Sequence, residues 1–405
     1  MRQIFSNAHL TIGADCAPDS QQGFLGSQAF ACKTFRTIAS NDCEYTLGIK
    51  FDYRYPHIEH QLLKDDLPLY KRAWAFQEKL LSPRILHFTN NEMVWECREC
   101  VLCECLYTKN PPRAGPLQNL KANNPGAVFG AWYALVSQFS ALDLSVPADK
   151  LPAISGLASY FQTTLGSTVG AYVAGMWEPD LLLSLLWYVQ GPGTPRRPRA
   201  YRAPSWSWAS IDGRINYFRY HRSLQFEPSL ATKEIICKPA SELDPTGAVA
   251  EGATLRLVGE FVEVALEVIP VLSVDRESGT AYQGMLAHSS QRAFVRSCIS
   301  DSYEVLCDEH MPFSDRPVGK NPWLDDQFFC LAVGTSIERR AWDRDVGFPA
   351  TDRGPGLRLW WLVLKRSWKV PDGFERVGVG YCNSVRGELG CGLFDEAAVR
   401  EVCLI

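Results

Sequence analysis

The sequence predicts a mixed α+β protein in three stretches: strands and a helix over residues 1–110, a helical segment over 127–190 and a β-rich region over 200–405. Three observations predict it. A helix-period run from Arg72 to Leu81 leads directly into two strand patterns, Arg84–Thr89 and Met93–Cys97. Apolar residues recur at three- and four-residue spacing after residue 127. From residue 255 onward the apolar runs are rich in β-branched and aromatic residues.

His9–Ala14 reads as a short strand and Asp15–Gly26 as turn-rich. Asp65-Asp66-Leu67-Pro68 reads as a helix start, with acidic caps and a proline in the first turn. That helix stops before Pro83, and Asn90-Asn91 suits a hairpin turn between the two strands. Pro111–Gly126 is a Pro/Asn/Gly-rich break. Trp132, Leu135, Val136 and Phe139 then mark one helix. Leu151, Ile154, Leu157 and Phe161 mark a second, opened by Pro147. Tyr172–Trp187 reads as a third, strongly apolar helix. Gly191–Arg202 is another break, and strand chemistry follows at 255–258, 262–268, 360–364 and 376–379.

Apolar residues make up 46 % and charged residues 21 % of the 405, the profile of a folded chain. A net charge of −4 gives nucleic-acid binding no electrostatic support. The longest apolar run, Leu181–Val189, is too short to span a bilayer, and the N-terminus lacks the apolar core of a signal peptide. Fourteen cysteines spread over the chain suit reduced thiols and a cytoplasmic location.

Four places carry candidate chemistry. Cys97-x2-Cys100-x2-Cys103-x-Cys105 has a spacing that thiolate metal sites use. On a continuous strand, however, Cys100 faces away from the other three, and no second pair follows, so packed thiols and no metal are expected. On the 72–81 helix, Ala73, Trp74, Phe76, Leu80 and Leu81 form an apolar arc with Gln77 inside it and Glu78 at its edge beside Trp74. Glu78 is either a structural partner of Arg72 or Arg84, or a partly desolvated carboxylate suited to catalysis or to ribose hydroxyls. Pro204–Ser210 alternates, so a strand there puts Trp206 and Trp208 on one face, as core anchors or as the wall of a ligand pocket. The Arg196–Arg202 run is a solvated loop or a phosphate contact. The chain has no P-loop, no G-x-S-x-G and no H-E-x-x-H; Gly387-x2-Gly390-x-Gly392 lacks the βαβ context of a dinucleotide fingerprint.

Several of these segments together resemble the fungal heterokaryon-incompatibility (HET) domain family. The matching blocks are Met1–Ala8 with Thr11–Ala14 and Gly23–Leu25, then Arg72–Arg84 with His87-Phe88 and Trp95–Cys97. Asp149–Ala158 with Tyr172–Trp177, and Ala203–Ser210, resemble the region that follows the domain in such proteins; Phe374–Gly378 and Leu404-Ile405 fit as well. Two upstream blocks of the family, of the types Y-x-A-L-S-Y-x-W-G and W-x-D-x-L-C-I-x-Q, have no counterpart. The resemblance therefore implies the C-terminal part of a HET domain.

The resemblance implies fungal nonself recognition and regulated cell death, with another incompatibility protein or a small-molecule ligand as partner. It also implies a TIR-like α/β region, whose enzymatic relatives cleave NAD with a helix Glu that follows a Trp. Glu78 after Trp74 is that position, with Gln77 and Arg72 beside it, and NAD is then the candidate substrate; no other cofactor is implied. The chemistry is loss of nicotinamide through an oxocarbenium-like state held by the carboxylate. Two alternatives remain open. One is a natural-product cyclase of the pericyclase type with an aromatic-lined pocket, which needs neither motif nor metal. The other is a non-catalytic regulatory remnant.

Overall fold

The computed structural model describes residues 1–25, 32–38, 44–50, 67–89, 93–103, 109–110, 117, 120, 124–190, 197–217, 224–270, 291–296, 302–307, 327–338, 356–383 and 392–405. Asp65, Asp66, Asn90, Asn91, Cys105, Arg196, Gly387 and Gly390 lie outside them. The chain divides into two compact units, Met1–Asn119 with Leu142–Leu144, and Leu120–Ala141 with Ser145–Ile405. The helical stretch and the β-rich region thus share one unit.

The first unit holds α1 (Arg2–Ser6), β1 (Thr11–Gly13), β2 (Cys32–Ile38), β3 (Glu44–Lys50), α2 (Ala73–Leu81), β4 (Arg84–Phe88), β5 (Met93–Cys97), β6 (Val101–Cys103) and β7 (Lys109–Asn110). Its main sheet has the order β1-β4-β5-β6-β7, while β2 and β3 pair with each other. β1 runs parallel to β4, with Thr11 opposite Ile85 and Gly13 opposite His87; β4 to β7 are antiparallel neighbours. A parallel pair needs a crossover, and α2 lies within it. The helix expected to start at Asp65 is broken at Arg72, which is extended (φ −86°, ψ 123°) between a 3-10 turn, Pro68–Lys71, and α2. A strap causes the break: Asp143 N–H donates to the Lys71 carbonyl at 2.7 Å, and Ala73 N–H donates to the Asp143 carbonyl at 3.0 Å.

The second unit opens with α3 (Pro125–Phe139), whose first turn is capped by Asn124 Oδ1 accepting the Ala127 N–H at 3.1 Å. Trp132, Leu135, Val136 and Phe139 are buried along it as the spacing predicts. A 3-10 turn at Pro147–Lys150 leads into α4 (Pro152–Leu165), which buries Ile154, Leu157 and Phe161 completely.

The third predicted helix does not form. Residues 172–187 instead make a hairpin of β8 (Tyr172–Val173) and β9 (Met176–Trp177), a 3-10 turn, and the single turn α5 (Leu181–Ser184). The reason lies in the hairpin turn, where Ala174 and Gly175 have φ of 48° and 93°. The Gly175 carbonyl accepts the indole N–H of both Trp132 (2.9 Å) and Trp208 (2.8 Å). A Cβ on Gly175 would lie 2.6 Å from Trp208 Nε1. Burial of two Trp rings around one carbonyl outweighs helix periodicity.

Next come β10 (Tyr188–Gln190), β11 (Arg214–Asn216), β12 (Leu224–Pro228), β13 (Ala231–Ile236), β14 (Thr254–Pro270), β15 (Gln291–Arg296), β16 (Ser302–Cys307), β17 (Phe328–Glu338), β18 (Gly356–Arg366), β19 (Gly373–Asn383) and β20 (Ala398–Leu404). The antiparallel pairings β14-β15-β16-β19-β18-β17 return to β14 and close a six-stranded ring. Alternate residues Phe328 and Cys330, Trp361 and Val363, with Val264, Val377 and Leu393, form one apolar cluster. Their neighbours Phe329, Leu331, Trp360, Leu362 and Leu364 are also buried, on the other face. Burial on both faces is why these strands read as continuous apolar runs. Among the described residues no helix is long and apolar enough to cross a membrane.

Candidate functional site

β4 is buried at alternate positions, Ile85 and His87. In register, Glu96 faces Ile85 across β5, so its side chain lies on the His87 face and one step along the strand. The imidazole is 1 % exposed and sits between two carboxylates. Nδ1 lies 2.9 Å from Asp15 Oδ2, and Nε2 lies 3.1 Å from Glu96 Oε2. The 3-10 turn before α2 supplies Tyr70, whose hydroxyl donates to Asp15 Oδ2 at 2.8 Å and lies 2.6 Å from His87 Nδ1. From α2, Lys79 places its ammonium 3.8 Å from Glu96 Oε2 and 4.2 Å from the centre of the Tyr70 ring. Two acids and two bases thus balance within one network.

Burial alone would lower the His87 pKa. Hydrogen bonds to Asp15 and Glu96, with the Asp15 charge, outweigh it and hold the imidazole above its ordinary 6.5. The imidazolium then donates to both carboxylates. Asp15 is fully buried, and its Oδ1 has no hydrogen-bond partner among the described residues. That oxygen lies over Gly13, where a Cβ would come within 2.5 Å of it.

The network can hold and shift a proton between a sealed carboxylate and Glu96, which is 25 % exposed. His87 itself is closed to a substrate. On α2 and at its N-cap, other groups also reach solvent: Arg72 is exposed, and Trp74 and Glu78 are partly exposed. Burial pushes the Glu78 carboxyl up, and the Arg72 charge offsets part of that rise. The structure therefore brings Arg72 and Glu78 into electrostatic contact. Gln77 is fully buried and serves the core side of α2.

Trp206 and Trp208 belong to the other unit, and the strand expected there is absent. The segment bends into a 3-10 turn, Trp208–Ser210. Ser207 Oγ accepts the Ala209 N–H at 3.0 Å and donates to the Ala174 carbonyl at 2.6 Å, which pins the bend. Both indoles and Ser207 are 0 % exposed, so the two Trp are core anchors and line no open wall. Trp187 Nε1 donates to the Trp206 carbonyl at 3.0 Å.

The cysteine segment also departs from the continuous strand. Residues 98–99 turn, and Cys97 and Cys100 face each other with sulfurs 3.9 Å apart. Cys103 is disulfide-bonded. Among the described residues no group of three or more His, Cys, Asp or Glu is arranged to hold a metal ion.

Compared with known proteins, the chain matches no family model, no curated protein and no solved structure.

Asp15 and Tyr70 carry no chemical signal in the sequence, and Lys79, His87 and Glu96 stand there only as parts of motif blocks. A signal existed: polar residues at inward positions of two apolar strands, Ile85/His87 and Val94/Glu96.

Proposed function

We propose that the chain is a HET-like protein of fungal nonself recognition and regulated cell death, and that its first unit cleaves the N-glycosidic bond of NAD with Glu78. The observation that carries this reading is the state of α2. Glu78 is partly buried, its carboxyl is pushed up by that burial, and an exposed Arg72 lies within electrostatic reach. A carboxylate desolvated to that degree stabilises a developing oxocarbenium more than a solvated one does. Arg72 suits the NAD pyrophosphate, and the partly exposed Trp74 ring suits stacking on a flat base. Gln77 acts as a positioning residue.

The motif blocks support the HET reading. The parallel β1–β4 pair with α2 in its crossover supports the TIR-like part of it. The sealed indoles of Trp206 and Trp208 take away the feature that favoured a cyclase pocket.

The cellular test is induced expression of the full chain in a filamentous fungus, with viability and NAD content followed together. Growth arrest accompanied by a fall in NAD, both absent with Glu78→Gln, is the expected result. Arrest with constant NAD would favour signalling without catalysis.

A further inference from the structure

We propose that Cys97 and Cys100 form a dithiol site that exchanges with disulfides of the glutathione class, closing a disulfide across the turn between β5 and β6. The hairpin register carries the inference. Val94 faces Cys103, Trp95 faces Leu102 and Glu96 faces Val101, so Cys97 falls directly opposite Cys100 with Arg98 and Glu99 as a two-residue turn. Cys97 N–H donates to the Cys100 carbonyl at 3.0 Å, closing the turn. Directly opposite residues of an antiparallel pair have Cα atoms about 4.5–5.5 Å apart, within the span that a disulfide bridges.

Both residues are in the thiol state, and both are partly exposed. Their sulfurs are 3.9 Å apart. Arg98 and Glu99 are exposed, so the turn is open to a tripeptide disulfide.

The two thiols have different roles. Burial raises the Cys97 thiol, but hydrogen bonds from the backbone N–H groups of Glu99 and Cys100, together with the Trp95 and Cys100 side chains, outweigh it and bring Cys97 below its ordinary value. Cys97 is therefore the attacking thiolate. It attacks one sulfur of oxidised glutathione; the glutathione S–S bond breaks, one glutathione thiolate leaves, and a mixed disulfide forms on Cys97. The Cys100 thiolate then attacks the Cys97 sulfur, the second glutathione leaves, and the Cys97–Cys100 bond closes. Two electrons pass from the cysteine pair to glutathione, and the two thiol protons end on two reduced glutathiones.

The test is equilibration of the full chain in glutathione buffers of stepped ratio, acid quenching, alkylation and peptide mapping by mass spectrometry. Expected is one redox transition in the peptide spanning 97–100, with loss of two hydrogens and of both alkyl labels. Cys100→Ser should instead accumulate glutathione on Cys97, and Cys97→Ser should accumulate far less. Mapping of the unmodified chain needs no variant, so a folding defect in either variant leaves the test intact. Full alkylation of both residues in buffers that oxidise a control dithiol peptide would overturn the proposal. So would glutathione that stays on Cys97 in the unmodified chain.

Discussion

At Gly13 the backbone of β1 lies against the sealed carboxylate of Asp15, and a methyl group there would meet Oδ1 at 2.5 Å and His87 Nδ1 at 3.3 Å. Gly13→Ala is therefore expected to destabilise the first unit by about 1–3 kcal/mol, read as a shift in urea midpoint at constant slope. His87 carries a pH dependence of definite sign. Its folded pKa lies above 6.5, so the folded state keeps a proton that the unfolded chain gives up. The stability it contributes is complete below about pH 6.5 and is lost as pH rises through the folded value. The difference in melting temperature between the native chain and His87→Gln should thus shrink from pH ~6 to pH ~9; a difference that grows over that range would contradict the assignment. Little of this network is legible in the sequence, because Asp15, Tyr70 and His87 meet only through a parallel pairing and a 3-10 turn. Glu78 was legible, since its place at the edge of an apolar arc follows from helix geometry alone.

Among the elements, α2, β4, β5, α3 and α4 follow from the spacing of their apolar residues. Asn124 caps α3, and Asn124→Ala should cost about 0.5–2 kcal/mol, measured as a lowered denaturation midpoint. The hairpin at 172–177 was illegible for a physical reason: a short apolar run of this kind satisfies helix and strand templates alike. What decides it is one carbonyl that accepts two indoles. Gly175→Ala should fail at this point, since φ is 93° and the added Cβ meets Trp208. A loss of more than about 2 kcal/mol, with weakened near-ultraviolet circular dichroism from the Trp cluster, is the expected outcome.

Over the whole molecule, the chain divides into two compact units. The closed ring of the second unit could not be read from the chain, because β14 must find β15, β17, β13 and β20 across long intervening stretches and local sequence fixes none of those registers. Its last strand lies outside the ring and joins two of its members. β20 pairs antiparallel with β14 and parallel with β19, and Ile405 exchanges hydrogen bonds with Phe374 and Ser205. Deleting 398–405 should therefore abolish cooperative unfolding of the second unit in calorimetry. The first unit carries the proposed chemistry, and the central claim is that Glu78 cleaves NAD. Chromatographic assay of nicotinamide released from NAD by the purified full chain tests it most directly. The expected result is release of nicotinamide and ADP-ribose in equal amounts, slowed at least ~100-fold in Glu78→Gln while that variant stays within ~0.5 kcal/mol of native stability. Equal release by the two proteins, or no release by a folded native chain, would contradict it.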